Sequence, residues 1–121
     1  MDPITVAIVG ALAKLSESVI SDAYQALKMA IADKYGVDSD VAQAVEEIEK
    51  KPDSAGRKEI LREEVASAKI DKDPELLRLA NALIEKLKAL PDGQSVINQT
   101  VTGDNNIFSG SGNVTVSKRP K

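Results

Sequence analysis

Paired carboxylates at Glu46-Glu47 and Glu63-Glu64 are the first side chains in this sequence whose types could do chemistry, because two carboxyl groups sharing one site can divide acid and base roles. Adjacent residues, however, point to different parts of a helix surface. Glu47 has Lys50 and Lys51 three and four residues on, which reads as solvated helix charge. The chain has no cysteine and no histidine. Thiol nucleophiles, imidazole acid-base chemistry, disulfides and thiolate or imidazole metal ligands are therefore excluded. The Gly110-Ser111-Gly112 step does not open a helix, so it is not a phosphate loop. No catalytic residue, metal site or cofactor is expected, and the chain reads as something other than an enzyme.

A different chemistry, that of the backbone and of side-chain amides, is concentrated in residues 95–116. This run is rich in Val, Ile, Thr, Asn, Gln and Gly, and between residues 94 and 117 Asp104 is the single ionisable side chain. From Ile97 the pattern alternates, with Ile97, Gln99 and Val101 on one side and Asn98, Thr100 and Thr102 on the other. Gly103, Asp104, Asn105 and Asn106 are turn formers. Ile107 and Phe108 restart an extended run, Gly110 to Gly112 turns again, and Asn113, Val114, Thr115 and Val116 extend a third time. Strands this short do not make a stable sheet alone. Stacked in register on other copies at about 4.8 Å, each Asn and Gln bonds its equivalent above and below while the apolar side chains form a dry face. The expected role of Ile97, Gln99, Val101, Gly103, Asp104, Asn105, Asn106, Ile107, Phe108, Gly112, Asn113, Val114 and Val116 is self-assembly, and the expected first partner is another copy of the chain. As a monomer the segment is expected to be disordered or to form short strands.

The elements that would carry this segment are helical. At 121 residues with 42% hydrophobic residues, there is room for one modest core and a tail. With Phe108, Tyr24 and Tyr35 as the only aromatics, that core must be built of Leu, Ile, Val and Ala, which suits helix-on-helix packing. Asp2 and Pro3 form a start signal, a capping carboxylate followed by a residue with no N–H to orphan. Apolar residues then recur at Ile4, Ile8, Leu12, Leu15, Val19, Ala23, Leu27 and Ile31. This predicts one long helix, or two with a bend near Gly10 or across residues 16–21, stopped by Gly36. A second helix follows Asp38, Ser39 and Asp40 with Val41, Val45 and Ile48 inward. A third opens at Asp53 or Ser54 and runs through Ile60, Leu61, Val65 and Ala68. A fourth starts at Asp73-Pro74 and carries Leu76, Leu79, Ala80, Leu83, Leu87 and Leu90. Short loops predict an all-α antiparallel bundle of about four helices over residues 1–90, a linker at 91–94, the assembly motif at 95–116 and a basic terminus at 117–121.

The charge balance, 16 basic against 19 acidic residues, disfavours nucleic acid as a partner. Lys118, Arg119 and Lys121 read as keeping a sticky end soluble. The apolar run from Ile4 to Ala13 is preceded by Asp2, where a secretory signal needs a base, and it falls well short of the roughly 18 residues that span a bilayer. A cytoplasmic location is expected.

Residues 100–107, Thr-Val-Thr-Gly-Asp-Asn-Asn-Ile, resemble the RIP homotypic interaction motif, the amyloid core of necroptosis kinases. Gly-Asp-Asn-Asn carries the likeness; Val101 stands where that motif has Gln, and the nearest, Gln99, lies two positions earlier. The segment is thus similar to the broader bacterial amyloid signalling motifs. The opening run 1–13 and the stretch Lys51-Pro-Asp-Ser-Ala-Gly-Arg57 resemble a family of small helical proteins of filamentous cyanobacteria. In proteins of this kind the motif ends a small helical Bell domain, a conceptual relative of the fungal HeLo and HET-s cell-death domains. The resemblance implies a signalling adaptor or effector of programmed cell death and bacterial immunity. It also implies a receptor partner with a matching motif, and a first helix that becomes membrane-active on assembly through Ile4, Val6, Ile8, Val9 and Leu12. The competing expectation is a structural protein whose tail fixes a closed oligomer.

Overall fold

A computed structural model describes residues 2–98 of the chain. Five α-helices and one short 3₁₀ turn follow in order: α1 (Pro3–Leu12), α2 (Ser18–Tyr35), α3 (Asp40–Lys50), α4 (Ala55–Ala68), the 3₁₀ turn (Ile70–Lys72) and α5 (Pro74–Lys88). Residues 93–98 add a final helical turn, and no strand occurs among the described residues. The all-α architecture expected from the apolar spacing is therefore the observed one.

Each helix start has a local cause. Asp2 accepts the Thr5 backbone N–H at 2.8 Å and its second carboxylate oxygen accepts the Thr5 hydroxyl at 2.8 Å, which also satisfies the one buried polar residue among those described. Ser39 caps α3 by accepting from Ala42 N, Ser54 caps α4 by accepting from Arg57 N, and Asp73 caps α5 by accepting from Glu75 N and Leu76 N. Glu17, which precedes α2, makes no side-chain cap. Gly36 closes α2 at φ 99°, a backbone region that L side chains rarely adopt.

The first predicted run divides. Gly10 lies inside α1, and the break falls at residues 13–17, within reach of the bend expected at the serines. Two further details depart from the spacing. Leu15 and Val19, placed on the inward stripe, are 38% and 47% exposed because the break rotates them out of register. Ile60 is 51% exposed, while its neighbour Leu61 is fully buried and leads the inward face of α4 with Val65.

α1 is the centre of the bundle. Ile4 through Ala11, eight residues in succession, are buried. A helix apolar on every side belongs inside other helices, and α1 is packed by α2, α4, α5 and the 3₁₀ turn. α3 lies against α2 and α4. Tyr24, Ile20, Leu27 and Ile31 of α2, Ile48 of α3, Leu61 of α4, and Leu76, Leu83 and Leu87 of α5 complete a core almost without aromatic rings.

Candidate functional site

The end of the bundle where α1 and α5 both finish is where the helical domain meets the assembly segment. Leu87 of α5 sits beside Gly10 of α1, and the chain then turns back so that Val96 and Ile97 reach the same glycine. A Cβ built on Gly10 would lie 3.0 Å from Leu87 Cδ1, 3.7 Å from Ile97 Cδ1 and 4.0 Å from Val96 Cγ1. The turn is tight because of Gly93, which is buried. A Cβ there would stand 1.7 Å from the Leu87 carbonyl oxygen, so only glycine fits. Lys14, just past α1, pairs with Asp92 at 2.5 Å, and the ammonium holds the Asp92 carboxyl below its usual range.

This geometry corrects two expectations. Residues 91 and 92 form a turn and residues 93–94, read as the rest of a linker, are already helical; residues 95–98, read as the start of an extended run, are helical too. Ile97, expected as the first strand residue, is partly buried and packs on the core. The physical reason is tertiary: the bare surface of Gly10 leaves a hollow that Val96 and Ile97 fill, and that contact overrides a β-leaning composition. Gln99, Val101, Gly103, Asp104, Asn105, Asn106, Ile107, Phe108, Gly112, Asn113, Val114 and Val116 lie outside the described residues.

Of the residues expected to act on membranes, Ile4 and Ile8 are at most 1% exposed, Val6 and Val9 are buried, and Leu12 is half-buried. In this state none forms an outward apolar face. Among the described residues no helix is long and apolar enough to cross a membrane.

Beside the turn lies a groove of about 350 Å³. Val9, Leu12 and Ala13 at the end of α1 form one wall, Pro52 and Asp53 of the α3–α4 loop and Lys58 of α4 another, and Val96 the third. Sequence reasoning missed this groove, because its walls come from four separate stretches of chain.

Polar clusters elsewhere tie neighbouring helices together. The buried Tyr24 hydroxyl donates to Glu49, which also accepts from Lys28 at 3.0 Å. Burial and the Glu49 carboxylate both push the Tyr24 hydroxyl pKa well up. Lys34 at the end of α2 bridges Asp73 and Glu75 at the start of α5, at 3.1 and 2.8 Å. The Glu46-Glu47 pair divides as its adjacency implies: Glu46 faces Lys28 on α2, while Glu47 faces Lys50 and Arg57.

The fold and this closed end define a small helical-bundle module with a C-terminal extension. The family model of the Het-E N-terminal domain matches residues 1–120, and the chain belongs to that family. The match is consistent with a helical domain of signalling related to cell death. Comparisons with curated proteins and with solved structures give no match.

Proposed function

We propose that this chain is a signalling adaptor or effector of programmed cell death in bacterial immunity, without catalytic activity, that assembles with copies of itself through residues 95–116. In this reading its helical Bell-like domain then acts at a membrane surface. The match to the Het-E N-terminal domain carries this reading, because it spans the helices and the nearly uncharged amide-rich run as one unit. The likeness of residues 100–107 to the RIP homotypic interaction motif supports amyloid stacking as the mode of assembly. A receptor with a matching segment is the natural nucleator. The working location is the cytoplasm, with membrane association after activation.

The burial of α1 supports a role for that helix that is withheld in the monomer. Its eight consecutive buried residues carry no charge, and many copies held side by side would sum weak membrane affinities. A synthetic peptide spanning residues 95–116 tests the assembly. It should seed thioflavin-positive fibres of the full chain, and Val101→Pro and Ile107→Asp should each abolish them, since proline removes a ladder donor and a stacked charge repeats at every layer. Fibres retained in both variants would count against stacking through this segment, and a closed particle of fixed size in sedimentation would favour the structural-oligomer role. For the membrane step, Leu12→Asn is the useful substitution, because Leu12 is half-buried whereas Ile8 is core. It should reduce dye leakage from anionic vesicles by assembled chain while leaving fibres intact.

A further inference from the structure

We infer that the groove at the closed end of the bundle is a docking site for the chain's own Ile107-Phe108 segment, which it holds against the helices in the unassembled protein. Four observations lead there. First, size: about 350 Å³ is the low end of the range for ligand pockets, too small for a helix or a second domain and sufficient for one or two large apolar side chains. Second, the lining: Val9, Leu12, Ala13, Pro52 and Val96 present apolar surface at a rim that is otherwise polar.

Third, position. Val96 is a wall of the groove, and the described chain ends two residues later at Asn98, with residues 99–121 still to follow. Eight residues lie between Asn98 and Ile107, a span of up to roughly 30 Å when extended. A segment tethered this close experiences an effective concentration on the order of millimolar, so weak contacts suffice to hold it. Phe108 is the largest apolar side chain in that stretch.

Fourth, charge. Lys58 and Asp53 stand on the rim, and among the described residues neither has an ion-pair partner. The outgoing chain carries one acid, Asp104, four residues before Phe108, and beyond it the bases Lys118, Arg119 and Lys121. With Phe108 in the groove, Asp104 is near enough along the chain to pair with Lys58, and the basic end carries charge complementary to Asp53. Docking does not depend on the proposed assembly; its consequence does. Under that proposal, docking withholds Ile107 and Phe108 from other copies and so sets the lag before fibres form.

The chain's lack of cysteine permits a clean test. A nitroxide attached through Ser111→Cys to the full-length protein, at a concentration where it is monomeric, should broaden the amide signals of Val9, Leu12, Ala13, Asp53 and Val96. It should spare Val37, at the opposite end of α3. The pattern should persist on dilution. Ala13→Trp, which fills the groove from a solvent-facing position, should restore the signals without altering the helical spectrum; Lys58→Glu should restore them in part. Absent or uniform broadening would overturn the inference. So would broadening that appears only when nitroxide-bearing chains are mixed with isotope-labelled ones, because the occupant would then be a second copy. A chain that never forms seeded fibres but shows the intramolecular pattern would refute the proposed function and leave the docking intact. Where fibres do form, Ala13→Trp should shorten the lag several-fold.

Discussion

Two glycines with the same composition-level meaning have opposite structural duties. At Gly93 the space for a side chain is occupied by the Leu87 carbonyl, 1.7 Å from where a Cβ would stand. Backbone cannot step aside as a rotamer can. Gly93→Ala should therefore destabilise the bundle by about 3 kcal/mol, the upper part of the overpacking range, read as a lowered urea midpoint. At Gly10 the nearest obstacle is Leu87 Cδ1 at 3.0 Å, the far end of a flexible side chain. Gly10→Ala also gains helix propensity of about 1 kcal/mol, so its net effect should stay within about 1 kcal/mol of zero. Equal losses in the two variants would mean that the chain does not turn as tightly after α5 as described. The sequence marks Gly10 as a possible bend and Gly93 as lying past the last helix, but the packing duty of each stays hidden, since it depends on a neighbour brought close by the fold.

At the scale of elements, starts were legible and continuations less so. Asp2-Pro3, Ser39, Ser54 and Asp73-Pro74 all cap helices where the residue types say they should, because capping is a local bargain between one side chain and two or three N–H groups. The break at residues 13–17 falls between the two places where a bend is expected, Gly10 and residues 16–21, and overlaps only the second. Lys69, in a left-handed conformation at φ 60°, and the 3₁₀ turn after it were not, since nothing in Lys-Ile-Asp-Lys marks them. The helical course of residues 93–98 was hidden for a related reason: a β-leaning composition is a weak preference, and the hollow over Gly10 outweighs it.

Asp73 joins two elements at once, capping α5 and pairing with Lys34 of α2. The Lys34 ammonium, aided by the α5 N–H groups, holds its carboxyl below the usual value of 3.8. A carboxyl depressed in the folded state stabilises the fold above its unfolded value, and that contribution is lost as pH falls through the folded one. Asp73→Asn should retain much of the cap, lower the melting temperature by a few degrees at neutral pH, and flatten its decline below about pH 4. Parallel acid-melting curves for wild type and variant would count against the pairing.

For the molecule as a whole, the placement of α1 matters most. Because α2, α4, α5 and the 3₁₀ turn all lean on it, its backbone amides should exchange with solvent only when the entire bundle opens. In native-state hydrogen exchange, Ile8 and Val9 should report an opening free energy equal to the global one, whereas Asn98 should exchange early. A lower value at Ile8 than for global unfolding would reveal a separate route by which α1 comes free. The function classes removed by composition, thiol and imidazole chemistry above all, follow from residue types alone. The groove needed tertiary structure to be seen, because Ala13, Pro52 and Val96 become neighbours only once the chain has doubled back.

A rod that is oily on all sides has no single hidden face, so rotation of α1 about its own axis would not offer it to a lipid surface. In the proposed membrane role, α1 has to leave its packing against α2, α4, α5 and the 3₁₀ turn before it meets lipid.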